Sequence, residues 1–376
     1  MKNLPELKIE FDHLDIGLEK LLAIIRPLWK PEAIKHKILR GGITNKLALA
    51  YLEQNDKDKV IIRIYGEGTE LIIDRKAEVE NMLKLHEAGM AATLYCKFSN
   101  GLAYEFIEGE IIDENSVRSP QVYRLISKQM ATFHSVKIPS NSKAMIMPKI
   151  REMLASASRS FVDEKKDKLL KEKYPSFEDL NQEVLLIEKF LSSFKSPIVF
   201  SHNDCLFGNI VYNKATEKIN FIDYEYSGPN YQAYDIANHF CEFAGVDDYK
   251  PELYPDDAFQ HAWIRTYLEG WNEINFPGKL VTEADVNELF LLVNDIVMIP
   301  NFMWSIWARL QASISSIDFD YLGMNYYCTY CNIIYYYMCI HVSSRCYLTR
   351  GKICIFSTYH KGGGKGFLDL TNDNSL

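Results

Sequence analysis

The chain lacks a basic surplus. Its 42 lysines and arginines face 50 aspartates and glutamates, a net charge of −8. Holding nucleic acid electrostatically requires cations that displace the counterions of the phosphate backbone, so this balance argues against a nucleic-acid partner. A local basic pocket for a small phosphate is still compatible with it. Also missing is an apolar run of signal-peptide length at the start: "MKNLPELKIEFDHLDIGL" carries acids throughout, which points to a cytoplasmic rather than a secreted chain. Cysteine is scarce over most of the length. Of eight, only Cys96, Cys205 and Cys241 precede residue 328, and their wide separation reads as reduced thiols rather than staples. Internal repeats are absent as well.

What is present is the balance of a soluble globular protein with a sizeable core, 47% apolar and 24% charged over 376 residues. That length suits about two domains or one large bilobal one. After residue 323 the composition shifts abruptly. Cys328, Cys331, Cys339, Cys346 and Cys354 crowd into "CTYCNIIYYYMCIHVSSRCYLTRGKIC", but the single C-x-x-C lacks the second close pair that a zinc ribbon uses. Residues 321–344 carry no formal charge and are long enough to cross a bilayer, yet seven tyrosines and scattered asparagines make a poor spanning helix. No stable membrane insertion is expected. The closing "KGGGKGFLDLTNDNSL" reads as a disordered tail, and 324–376 as a divergent, poorly ordered segment.

Leu14, Leu18, Leu21, Leu22 and Ile25 recur at helical spacing, which predicts an opening helix ending near Pro27. "HKILR", "KLALAYLE" and "KVIIRIYG" follow as strands, separated by the turn-like "GGITN" and "QNDKD". "ELIIDRKAEVENMLKLHEAG" predicts a helix stopped by Gly89, and "TLYCKF" and "GLAYEFIEG" two more strands. Beyond Gly109 the pattern is mainly helical, interrupted by "PIVF", "NIVY" and "INFI". The expected fold class is α+β: a small β-rich lobe over 1–109 and a larger helical lobe over 110–323, with a cleft between them for a small molecule.

The chemistry gathers in "HNDCLFGN" and "IDYEY". Asp204 and Asn209 have the Asp-x-x-x-x-Asn spacing of a kinase catalytic loop, where the Asp accepts the substrate hydroxyl proton and the Asn holds magnesium. Asp223 follows the strand "INFI", where kinases place a second metal-binding Asp. Magnesium is hard and prefers such oxygens. Taken singly, Asp204 could cap a turn and Asp223 end a strand; together, bracketing a hairpin, they favour a metal. "VIIR" stands where kinases have "VAIK", with Arg63 replacing the lysine and Glu78 on the following helix as its natural partner. A solvated strand arginine is the alternative. "RGGITNK" could cover phosphates through Gly41, Gly42, Thr44 and Asn45, or simply be a hairpin turn.

In order along residues 10–323, "GGITNKL", "VIIRIYG", "LYCKFSNGLAYEFIEGE", "HNDCLFGNIVY", "FIDYEYSGPNYQAYDIANHFCEFAGV" and "SSIDFDYLG" resemble the choline/ethanolamine kinase family, most closely its ethanolamine branch. The resemblance implies a bilobal, protein-kinase-like fold and transfer of the γ-phosphate of ATP, with Mg2+, to ethanolamine, the first step towards phosphatidylethanolamine. By position it makes Asp204 the catalytic base, Asn209 and Asp223 the magnesium ligands, and Arg63 with Glu78 the phosphate-holding pair. The backbone of Glu105, Phe106 and Ile107 corresponds to an adenine-binding hinge. Tyr226, Glu242, Trp304 and Trp307 correspond to an amine pocket, consistent with an ammonium held by a carboxylate and aromatic faces. Read without the family, Trp304 and Trp307 are equally an ordinary core stripe.

Three departures stand out. Ala92 replaces a proline, Pro300-Asn301 replaces a Ser-His pair ahead of the tryptophans, and the likeness stops after Gly323, with Met324 where a pocket-closing tyrosine is expected. His134 is expected to be a satisfied helix histidine, and "VDEKKDKLLKEK" a solvated helix face. Two rival functions remain: a choline kinase, differing in pocket volume, and a catalytically weak kinase-like binding or scaffold protein.

Overall fold

The computed structural model describes residues 1–39, 45–66, 68–245, 250–315 and 319–323. Gly41, Gly42 and Thr44 of the glycine-rich stretch, Met324 and the whole Cys/Tyr-rich segment 324–376 lie outside the described residues.

A six-stranded sheet dominates the first hundred residues. Its strands are β1 (Lys2–Leu4), β2 (Ile34–Leu39), β3 (Asn45–Leu52), β4 (Asn55–Tyr65), β5 (Leu94–Phe98) and β6 (Gly101–Glu105), in the order β1-β5-β6-β4-β3-β2. All neighbours are antiparallel except β1 on β5. Residue alternation in β4 explains why the sheet is covered on both sides. Val60, Ile62 and Ile64 pack with Leu14, Leu18, Leu21 and Leu22 of α1 (Leu14–Ile25). Arg63, out of phase with them, meets Glu78 of α2 (Arg75–Glu87) instead. α2 starts later than its apolar pattern suggests, because a 3-10 turn (Thr69–Leu71) intervenes and Asp74 caps it by accepting from the N–H groups of Lys76 and Ala77.

The helical lobe contains α3 (Pro120–His134), α4 (Ile146–Ser156), α5 (Glu164–Lys173), α6 (Phe177–Leu191), α7 (Gln232–Cys241), α8 (Asp257–Asn275), α9 (Glu283–Ile296) and α10 (Met298–Ile314). α3 and α9 flank α8, while α7 and α4 flank α10. Capping boxes start α6 (Ser176 with Asp179) and α9 (Thr282 with Asp285). The three interrupting runs appear as β8 (Ile198–Ser201), β9 (Ile210–Asn213) and β10 (Lys218–Phe221), joined by the very short β7 (Glu110–Ile111) and β11 (Gly228–Tyr231). They pair as β10-β9-β7 and β11-β8. Glu283–Ile314 is the one described helical stretch long and apolar enough to cross a membrane, and 67% of its most apolar window is buried inside the protein, which makes it a core element here.

Gly101 is a packing constraint on the strand that carries Arg63. A Cβ there would lie 2.1 Å from the Arg63 carbonyl oxygen and 2.5 Å from the Phe98 ring. Gly101→Ala is therefore expected to destabilise the protein by about 2 kcal/mol or more. Denaturant unfolding checks this, and an unchanged midpoint would contradict it.

Candidate active site

β8 ends in Ser201, and the loop His202–Cys205 turns away through Asn203, whose φ of 65° is left-handed. That strained turn is held by a fully buried carboxylate from α7. Asp235 accepts the His202 N–H at Oδ2 and the Asn203 N–H at Oδ1, both at 2.7 Å. His134 Nε2 lies 2.9 Å from the same Oδ2 and its Nδ1 lies 2.8 Å from the Tyr267 hydroxyl. His134 is thus the satisfied helix histidine its sequence suggests. Burial pushes the Asp235 carboxyl up, but His134 and the other hydrogen bonds outweigh that and leave it below its ordinary value. His202 Nε2 sits 3.0 Å from the Ile222 carbonyl, tying this loop to the segment that carries Asp223.

Asp204 and Asn209 meet. The Asn209 amide donates to Asp204 Oδ2 at 3.1 Å and to the Asp204 carbonyl at 2.9 Å. The Ile222 N–H in turn donates to the Asn209 carbonyl at 2.9 Å, so the two loops lie side by side. Asp223 also has a left-handed φ of 65°. Arg63 Nη1 approaches its Oδ1 at 2.7 Å while Nη2 ion-pairs with Glu78. With Arg63 only 3% exposed, the solvated-arginine reading is excluded.

The sequence reading missed Arg75, Glu225 and Asp235. Arg75 Nη1 bonds Glu78 Oε2 at 3.1 Å and Glu225 Oε2 at 3.0 Å. The only sequence signals were Arg75 three positions before Glu78 and Glu225 two after Asp223. Asn45, read as a phosphate contact, donates its amide to Glu225 at 3.1 Å and accepts from Arg75 at 3.2 Å. Its side chain belongs to that buried network.

Electrostatically the cluster is short of cations. Five carboxylates, of Glu78, Asp204, Asp223, Glu225 and Glu242, stand against the guanidinium groups of Arg63 and Arg75. Burial raises the Asp204 carboxyl well above its usual range, and Glu242, Asp223 and Glu225 add to this, with only the Asn209 bond opposing. Burial pushes Glu242 up to about 7. The carboxylate oxygens of Glu78, Asp223 and Glu225 lie within 4.8 Å of one another. Glu78 and Glu225 are engaged by arginines and nearly sealed, whereas the Asp223 side chain is 30% exposed. An all-oxygen donor set, negative in excess and open at Asp223, fits a hard divalent cation such as magnesium.

Tyr226, Trp304 and Trp307 form one aromatic wall. Trp304 makes edge contacts with Tyr226 (centroids 5.4 Å apart) and Trp307 (5.5 Å). Each indole N–H is anchored at 2.7 Å, Trp304 to Asn238 Oδ1 and Trp307 to the Tyr226 hydroxyl. Pro300 falls in the first turn of α10, where a missing N–H breaks nothing, so the helix runs on through both tryptophans. Glu242 follows directly on α7, the helix that supplies Asn238. At the end of β6, inside the sheet, the Glu105 N–H donates to the Thr93 carbonyl at 2.9 Å and the Phe106 N–H to the Lys59 carbonyl at 3.3 Å, with Ile107 half-buried next in line. A separate groove of about 460 Å³ between α3 and α8, lined by exposed charges of both signs, shares no residue with this cluster.

The sequence profile described as Choline/ethanolamine kinase matches residues 36–328. The chain belongs to that family. It is 42% identical over 309 residues to ethanolamine kinase 1 of Mus musculus, covering 82% of this chain and 85% of that protein. Against ethanolamine kinase of Drosophila melanogaster it is 40% identical over 276 residues, covering 72% and 52%. Among solved structures, an ethanolamine kinase of Plasmodium vivax superposes with a TM-score of 0.75 at 25% identity, covering 86% of this chain and 89% of that one. The protein-kinase-like, bilobal fold is therefore a property of this family member.

Replacing Asp235 by Asn would leave the buried N–H of His202 or of Asn203 without its acceptor. Asp235→Asn should lower stability by about 1–3 kcal/mol, visible as a lower melting temperature. Full retention of the wild-type value would show that the turn does not need this carboxylate.

Proposed function

We propose that the chain transfers the γ-phosphoryl group of ATP to the hydroxyl of ethanolamine, giving phosphoethanolamine for phosphatidylethanolamine synthesis. The observation that carries this reading is Asp204: buried, bonded to Asn209, and close enough to both Asp223 and Glu242 to feel their charges. It thereby links the oxygen cluster to the glutamate and aromatic wall. The names of the family relatives support the same substrate.

In this reading residues 1–109 cover the nucleotide and 110–323 bring catalytic and amine-binding groups. Adenine meets the backbone at Glu105–Ile107, and Arg63, kept in place by Glu78, neutralises phosphoryl oxygens through its several donors. Asn209 and Asp223 would hold magnesium, which would supply charge neutralisation to the phosphoryl oxygens. Glu242 pairs with the ammonium, which lies against Tyr226, Trp304 and Trp307. Asp204 orients the hydroxyl and takes its proton as the oxygen attacks. Burial is the first cause of its raised pKa and repulsion from Glu242, Asp223 and Glu225 the second, so cations entering the cluster oppose both and favour the ionised form a base needs. Most of the rate then comes from positioning and charge stabilisation. The free cysteines Cys96, Cys205 and Cys241 are in keeping with a soluble cytoplasmic enzyme.

Asp204→Ala and Asp223→Ala should each lower kcat by about a thousandfold or more while leaving the melting temperature near wild type; near-normal turnover in either would remove the assignment. Competition of ethanolamine and choline at limiting ATP should favour ethanolamine, and a preference for choline would transfer the reading to the other branch.

The Glu242 carboxyl also sets a pH dependence. Ammonium binding needs its ionised form, so kcat/KM for ethanolamine should fall about tenfold per pH unit below about 7. In the free protein the raised pKa means that ionisation opposes folding as pH rises through about 7. Ethanolamine should therefore raise the melting temperature more at pH 8 than at pH 6. In Glu242→Gln both effects should vanish, and their persistence would exclude this glutamate.

A further inference from the structure

Arg75 is the first residue of α2, at the positive end of the helix, where the Asp74 carboxylate already accepts from the N–H groups of Lys76 and Ala77. A cation there is opposed by the helix dipole. Its side chain is nonetheless only 13% exposed and surrounded by partners. Nη1 bonds Glu78 at 3.1 Å and Glu225 at 3.0 Å; Nη2 donates to Thr69 Oγ1 at 2.7 Å and Asn45 Oδ1 at 3.2 Å; the guanidinium carbon stands 4.0 Å from the centre of the Tyr65 ring. A lysine could not reach these points together, because the planar fork is what serves several acceptors at once.

The partners come from both lobes. Asn45 opens β3, immediately after the glycine-rich stretch; Thr69 belongs to the 3-10 turn; Glu78 is on α2. Glu225 lies in the C-terminal lobe, two residues beyond Asp223. Asn45 closes the ring by donating to the same Glu225 oxygen that Arg75 contacts. Arg63 is 4.0 Å from Glu225 but 2.7 Å from Asp223, whereas Arg75 is 3.0 Å from Glu225, so Arg75 makes the closer of these two contacts with Glu225 while Arg63 bonds Asp223 and Glu78.

We propose that Arg75 is a lobe-bridging positioning residue, which clamps Asn45, the first residue of β3, to the Glu225 end of the Asp223 segment and so sets the ATP-binding geometry. This rests on the nucleotide assignment of the proposed function, but the clamp itself is a statement about the free protein. Without Arg75, Glu225 would lose an ionic contact at 3.0 Å, and Arg63, 4.0 Å away, would be drawn towards it and off Asp223.

The test compares the full-length wild type with Arg75→Ala, Arg75→Lys, Glu225→Gln and the Arg75→Ala/Glu225→Gln double variant. KM for ATP should rise about tenfold or more in Arg75→Ala, with KM for ethanolamine within about twofold of wild type. Arg75→Lys should recover part of the loss, and the double variant should lose no more than Arg75→Ala alone. Amide hydrogen exchange without ligands should speed up in peptides containing Asn45–Leu52 and 223–227, while α8 and α9 stay unchanged. Equal rises in both KM values, additive losses, or faster exchange throughout the chain would mark Arg75 as a general stability element and overturn the proposal, as would no change at all. If the wild type does not phosphorylate ethanolamine, the functional reading fails while the exchange comparison still decides the clamp.

Discussion

Like charges forced together out of water govern this protein. Asp204, Asp223, Glu225, Glu78 and Glu242 come from separate points of the chain and converge, and burial together with the neighbouring carboxylates makes Asp204 and Glu225 resist ionising. Such a cluster is costly unless cations are supplied. Two guanidinium groups supply part of the compensation from within the chain. The remainder is a demand that a divalent metal and an ammonium group are chemically suited to meet, one at the oxygen-rich side and one at the aromatic side. In the proposed reading, repulsion among carboxylates becomes affinity for the two kinds of cation that phosphoryl transfer to an amino alcohol brings together.

The supports around that cluster are rigid. Asn203 and Asp223, both in left-handed backbone, are held by groups on other elements: Asp235 binds the first through its N–H, and Arg63 grips the side chain of the second. Strain of this kind persists only where the surroundings determine it from several sides. The aromatic wall follows the same rule, with both indole N–H groups tied to buried acceptors. Core packing and ligand recognition are therefore not rival readings of Trp304 and Trp307. They are 9% and 2% exposed, members of the main core, and face Tyr226 as well.

Legibility differed by kind of element. Long amphipathic segments such as α3 and α8 could be read directly, because a 3.6-residue apolar period is local information. Strands β1 and β7 escaped, since with three and two residues they exist through their partners rather than their own pattern, and β11 escaped because its Gly-Pro-Asn-Tyr has no apolar strand pattern. α7 escaped for the opposite reason. Nine of its ten residues are buried, so it shows no polar face to mark its period.

Within the site, the amino-acid sequence alone determined the groups whose geometry is short-range: Asp204 and Asn209 five positions apart on one loop, Asp223 at the end of the next strand, and Arg63 with Glu78 across one strand–helix connection. Only the tertiary structure decided which charges share a space. Arg75 meets Asn45 and Glu225 across separations of 30 and 150 positions, and Asp235 reaches back 33 and 32 positions to grip the His202–Cys205 loop. No local pattern encodes such pairings. They are selected by the energy of burying an ionised group, which depends on what folding brings beside it.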